Sequence, residues 1–257
     1  MIETALEGGV RFFDTAESYE GGESERRYGR HLSPKHREDV FIMTKTGGGD
    51  AETVQRHLDE SLPRLNTDYV DLWQAHSLGS PEDVDGRIEG GILDVFENAK
   101  TAGKARFVGF TGHSNPAAHL RMLERTAERD IFDTCQMPVN LLDPSYRSFI
   151  EQVIPTLQER NIGLLAMKTL ADGPFFARKV VRDAVQWETD TPIVPDRVSI
   201  REALYFVWSL PASVLVTGAE NAVLMREKIA LARQFEVLSE DDRQKLIDKV
   251  TDLAQDG

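Results

Sequence analysis

The pattern that most constrains this chain is an alternation. Short apolar runs of strand length recur between longer stretches of helical period, along most of the 257 residues. Strands are expected at 10–13, 40–44, 69–75, 105–110, 132–137, 162–167 and 213–217. Helices are expected at 23–32, 51–65, 81–102, 116–129, 146–160, 199–209 and 222–235, one after each strand, with a further helix at 240–254. The punctuation agrees. Gly8-Gly9 closes an opening helix, Pro34 stops the next, and Pro116 opens a later one. Ser199, Asn221 and Ser239 stand at N-cap positions. Pro155, inside 146–160, is expected to kink that helix.

Strands that alternate with helices run parallel, because each return crosses over through the helix. Eight such units close a (β/α)8 barrel. Seven are readable, so the fold class is α/β, a TIM-type barrel whose N-terminal first strand is missing. The opening helix implies a strand before it. With that strand absent, 10–13 and 213–217 should form the two edges of a gap. Both are apolar, through Val10, Phe12 and Phe13 on one and Val214, Leu215 and Val216 on the other. Such a chain is expected to be less stable and less soluble than one extended upstream by a strand and a turn. Residues 1–257 read as one barrel domain. The only long connection, 171–198, holds Pro174, Pro192 and Pro195. A helix is expected within it, over 175–187.

Composition narrows the function. A net charge of −13 argues against nucleic acid as a partner, since phosphate binding needs a basic face. Cys135 is the only cysteine, which excludes an internal disulfide and a cysteine metal cluster. A reducing cytoplasm fits. No apolar run is long enough for a membrane span, and the acidic N-terminus lacks a hydrophobic signal core.

In a barrel, every strand-to-helix loop opens on one face, and catalytic residues collect there. Three successive strands end in ionisable residues: Asp14, Lys45 and His76. Each alone has a bland explanation, as a cap, a solvated lysine or a structural histidine. Three at equivalent positions, with Tyr19 in the loop beyond Asp14, read as a site. The six histidines show no i, i+4 zinc pair, and there is no Gly-x-Ser-x-Gly elbow or glycine-rich phosphate fingerprint. A phenol beside an ammonium is a plausible general acid, because the cation favours the phenolate. Asp14 can orient Lys45, and His76 can donate to an oxygen that is becoming an alkoxide. The set suits protonation of a carbonyl oxygen. No side chain supplies hydride, so a cofactor is required.

The stretches DTAESYEGGESE, IMTKTG and YVDLWQAH resemble the aldo-keto reductases, NAD(P)H-dependent carbonyl reductases built on a (β/α)8 barrel. VGFTGHS, QMPVN and VTGAEN follow in the family's order. The resemblance implies that Asp14, Tyr19, Lys45 and His76 form the family's catalytic tetrad, with Tyr19 as the acid and a small carbonyl compound as substrate. It also implies a nicotinamide cofactor. Gln136 matches the glutamine that holds its carboxamide. Thr111-Gly112 stands where many members have Ser-Asn, and Met167 where many have a stacking tyrosine. Met167 is equally well read as core. The resemblance places cofactor phosphate near Gly218 and Ala219, at the helix after Asn221. Glu220 lies where some relatives have arginine or serine, and Glu227 matches an acid that contacts adenine. Glu220 would repel a 2′-phosphate but accept from a 2′-hydroxyl. NADP(H) is favoured by the family alone, and NAD(H) stays open.

Two other readings remain. Lys45 as a Schiff-base lysine needs a desolvated amine without a carboxylate beside it. A barrel that has lost turnover would act as a cofactor-binding or regulatory protein.

Overall fold

The computed structural model describes residues 1–171, 173, 175–181 and 183–256. Nine strands are described: β1 (Phe12–Asp14), β2 (Phe41–Thr46), β3 (Val70–Ala75), β4 (Ala105–Thr111), β5 (Thr134–Pro138), β6 (Gly163–Met167), β7 (Arg178–Val181), β8 (Ala184–Glu188) and β9 (Ala212–Leu215). Seven of them form one sheet in the order β1-β2-β3-β4-β5-β6-β9. Every described pairing within it is parallel. The architecture is α/β with the expected strand–helix repeat. The helix Ile2–Glu7 comes before β1, and no described strand does. β1 and β9 therefore stand at the two ends of the order. They are not bare, since Phe13 is buried and Val10, Phe12, Val214, Leu215 and Val216 are half-buried.

The chain divides into two compact units. One is Met1–Gln136 with Ala219–Ile229, and the other is Met137–Gly218 with Ala230–Gly257. In the first, β3 is buried at all six positions, as a parallel strand covered on both faces must be. The helix Ala51–Leu65 buries Val54, Leu58, Ser61, Leu62 and Leu65, one stripe at helical spacing. Asp50 caps it by accepting from the Thr53 N–H at 2.9 Å, and Asn66 closes it in the left-handed region. In the second unit, Tyr205 on the helix Ile200–Trp208 donates to the carbonyls of Gln234 and Leu231. It also packs edge-on against Phe235.

Several boundaries differ from expectation for local reasons. The helix expected over 81–102 is two helices, Pro81–Glu89 and Ile92–Thr101, broken at Gly91 with φ of 83°. Gly90 must also be glycine: a Cβ there would lie 2.5 Å from the Gly49 carbonyl oxygen. Pro155 does not kink one helix but sits in the first turn of the second of two, Phe149–Gln152 and Ile154–Glu159. There its missing N–H costs nothing. The helix Glu23–His31 ends before Pro34 as expected, and Pro34 sits in the first turn of a separate short helix, Ser33–His36. Within the long connection, of which Asp172, Pro174 and Arg182 lie outside the described residues, no helix is described over 175–187. β7 and β8 form an antiparallel hairpin instead. Val180, Val185 and Trp187 favour strand, and Asp183 turns with φ of 64°. No helix among the described residues is long and apolar enough to cross a membrane.

Candidate active site

The site is built in the first unit, from the carboxyl ends of three neighbouring strands. β1 ends on Asp14. The chain then passes the buried Thr15 and Ala16 and turns at Tyr19–Gly22, where Glu20, Gly21 and Gly22 all take positive φ. That tight reversal leaves Tyr19 39% exposed, facing solvent. β2 carries Lys45, which is only 2% exposed. A buried ammonium must be matched by acceptors. Lys45 Nζ has them: the Asp14 carboxylate, the Thr15 carbonyl at 2.8 Å and the Tyr19 hydroxyl at 3.3 Å. The ammonium also lies 4.7 Å from the centre of the Tyr19 ring.

His76 follows β3 directly. Its backbone N–H donates to the Thr46 carbonyl at 2.8 Å, and its ring meets Tyr19 edge-on at 5.7 Å between centroids. Burial pushes the imidazole pKa down to about 3, with Lys45, His113 and Arg87 adding to the effect. His76 is therefore neutral near pH 7, with one ring N–H to donate. The four residues singled out at the strand ends are thus brought together. Behind them, the Tyr28 hydroxyl donates to the Asp14 backbone carbonyl at 2.9 Å, and burial raises the pKa of that phenol.

Thr111 and Gln136 fall on adjacent strands in direct register. Both are buried, and Thr111 Oγ1 and Gln136 Oε1 have no hydrogen-bond partner among the described residues. A hydroxyl donor and an amide acceptor left open side by side match the carbonyl and N–H2 of a primary amide. The donor set therefore fits a nicotinamide carboxamide. Gly112, where many aldo-keto reductases carry a second polar residue, has no room for one: a Cβ would meet His119 Cε1 at 2.5 Å. His119 is fully buried, and burial lowers its pKa to about 4.

The remaining candidates lie elsewhere. Met167 ends β6 in the second unit, nearly buried, where its carbonyl accepts from the Val139 N–H at 2.9 Å. Gly218 is exposed beyond β9. In the first unit Ala219 is half-buried, and Glu220 and Glu227 are exposed. Asn221 caps the helix Ala222–Arg233 by accepting from the Val223 and Leu224 N–H groups at 2.9 and 3.0 Å. Burial lowers the Lys228 pKa, and Glu220 opposes that shift.

Sequence reasoning missed the support around Lys45. Glu25 is fully buried, accepts from Thr44 Oγ1 at 2.6 Å and faces Arg64. Glu17 Oε1 accepts from the Gly47 N–H at 2.9 Å and lies 3.5 Å from His57 Nδ1, which also contacts Thr46 Oγ1. Both acids sit inside the DTAESYEGGESE stretch, so the signal was present, but nothing in it says which carboxylates turn inward. No group of histidine, cysteine or acidic residues among the described ones could hold a metal. Cys135 is buried, and burial raises its thiol pKa.

Known proteins resemble this chain in sequence and in fold. L-galactose dehydrogenase of Arabidopsis thaliana is 31% identical over 185 residues, 67% of this chain and 54% of that protein. L-glyceraldehyde 3-phosphate reductase of Escherichia coli K12 is 27% identical over 193 residues, 67% of this chain and 52% of its own length. The chain thus spans about half the length of these relatives. An aldo-keto reductase from Bacillus halodurans, in its holo form, superimposes with a TM-score of 0.76 at 22% identity. It covers 96% of this chain, which matches 85% of it. An aldo-keto reductase from Klebsiella pneumoniae in complex with NADPH gives 0.72 at 22% identity, over 95% of this chain and 81% of that one. These likenesses extend the fold to the (β/α)8 class. The profile of the aldo/keto reductase family matches residues 1–219, across every strand that carries the clustered residues. By fold and by sequence, this chain belongs to the aldo/keto reductase family.

Proposed function

We propose that this protein reduces a small aldehyde or ketone to an alcohol, with hydride from NAD(P)H and a proton from the Tyr19 hydroxyl. One observation carries this reading: a buried lysine shared between Asp14 and the hydroxyl of the one tyrosine at the strand ends. The nicotinamide would supply hydride, with Thr111 and Gln136 holding its carboxamide. Lys45 stabilises the phenolate that Tyr19 becomes as it gives up its proton. Asp14 keeps Lys45 in place. His76, held neutral by its surroundings, donates a hydrogen bond to the carbonyl oxygen as negative charge builds there. The exposed face of Tyr19 suits a substrate arriving from solvent.

NADP(H) is the favoured cofactor, supported by family membership and by a neighbour of the same fold described with NADPH. NAD(H) remains the alternative because Glu220 opposes a 2′-phosphate. Met167, Gly218, Ala219, Glu220 and Glu227 are proposed to complete the cofactor site. A single barrel domain and a cytoplasmic setting belong to the same proposal.

The test is fluorescence titration with NADH and NADPH, then turnover on a carbonyl panel by the parent and by Tyr19→Phe. The variant should bind cofactor as the parent does and lose about 10²–10⁴-fold in turnover. Turnover equal to the parent's would remove Tyr19 from the mechanism.

A further inference from the structure

We infer that Gln136 is a positioning residue for Asp14, extending the hydrogen-bond chain of the active site to Gln136–Asp14–Lys45–Tyr19. The inference rests on the catalytic reading above and goes beyond the role of Gln136 as a carboxamide ligand. Gln136 Nε2 donates to Asp14 Oδ2 at 2.9 Å, while Lys45 Nζ bonds the other carboxylate oxygen. A carboxylate cannot donate, so the amide must present its nitrogen to Asp14 and its oxygen elsewhere. That oxygen, Oε1, is buried and has no hydrogen-bond partner among the described residues. One side chain therefore does two things. Its nitrogen fixes the acid, and its oxygen is aimed where the carboxamide would bind.

The consequence is directional. A hydrogen bond to a carboxylate withdraws some of its negative charge and fixes its rotamer. Without it, Asp14 would screen Lys45 more fully from Tyr19 and hold it less tightly. Both changes make the Tyr19 phenol a weaker acid. Lys45, His76 and Tyr28 are the other titratable groups at this cluster, with Arg87 and His113 behind His76.

The experiment is spectrophotometric titration of tyrosine in the cofactor-free protein. Tyr19→Phe serves as the blank that isolates Tyr19 from the other four tyrosines. Gln136→Met keeps the length and removes the donor. Gln136→Asn keeps an amide but falls one methylene short. In either variant that melts as the parent does, the Tyr19 transition should move up by about one pH unit. The basic limb of the kcat profile for reduction should move up with it. In unaltered protein labelled with ¹⁵N, one Gln136 side-chain amide proton should exchange slowly with solvent. If folded variants weaken NADPH binding but leave the Tyr19 transition in place, Gln136 serves the cofactor alone and the inference is overturned. Rapid exchange of both amide protons overturns it as well. Failure of the catalytic reading looks different, since Tyr19→Phe would then retain turnover.

Discussion

The clustered strand ends and the segment from Gly218 to Glu227 were both expected to touch the cofactor, and they are built differently. At the strand ends Lys45, His76 and Gln136 are buried, and Lys45, Asp14, Tyr19 and Gln136 are bonded to one another. Lys45 has three acceptors, Asp14 has donors on both oxygens, and His76 is held neutral. Between Gly218 and Glu227, Glu220 and Glu227 face solvent, and Asn221 spends its side chain on capping its own helix. The helix Ala222–Arg233 has no buried residue at all. A buried charge must be matched within the protein, because an unmatched one is costly. An exposed acid or helix terminus can wait for a ligand, since water satisfies it meanwhile. The strand ends are therefore fixed in advance by their own bonds, whereas the exposed segment, proposed to set cofactor choice, carries only a few solvated charges.

Changes at the buried end should be large. Beyond the loss expected for Tyr19→Phe, the contrast can be broken with pH. His119 and His76 titrate near 4 and 3 in the fold, against about 6.5 when unfolded. Between those values the unfolded chain binds the extra protons, so folding is favoured fully above pH 6.5 and progressively less as pH falls. His119 alone should cost on the order of 2 kcal/mol at pH 5. Thermal melting at pH 7.5 and pH 5 measures this. His119→Gln should narrow the gap between the two melting temperatures, and an equal gap would contradict the burial of that ring. A loss confined to pH below 4 would point instead to the carboxylates.

At the exposed segment the effects should be smaller. Glu220→Arg should raise the preference for NADPH over NADH by roughly threefold to tenfold, as a cation replaces an acid near the 2′-phosphate. The ratio of the two dissociation constants reads this directly, and an unchanged ratio means Glu220 does not face the ribose. Asn221→Ala removes a cap and should lower stability by about 1 kcal/mol, seen as a lower urea midpoint at unchanged slope. A change well above that would mean that the segment carries more of the fold than its exposure suggests.

Much of the fold could be read from the chain. Short runs bounded by turn residues, such as 105–110 and 162–167, marked parallel strands, and Ser199, Asn221 and Ser239 marked helix starts that all bond as caps. The readings that failed were those where two local signals compete. Residues 175–187 have helical spacing and strand-forming side chains at once, and a turn at Asp183 decides for the hairpin. Pro155 marks either a kink or the first turn of a second helix, and only the path of the chain chooses, whereas the helix before Pro34 does end there.

For the site, the sequence by itself determined which residues can do chemistry and that Asp14, Lys45 and His76 share one end of the sheet. That follows because strand order and loop polarity are set by the βα repeat. Only the tertiary structure decided which acids turn inward. Glu25 meets Thr44 and Arg64, Glu17 meets Gly47 and His57, while Glu20 stays outside with Arg27. It also decided that Gln136 reaches Asp14 across 122 positions of sequence. Hydrogen bonds between side chains on different strands depend on register and on rotamers fixed by packing. Local sequence encodes neither, because both arise only when the strands meet.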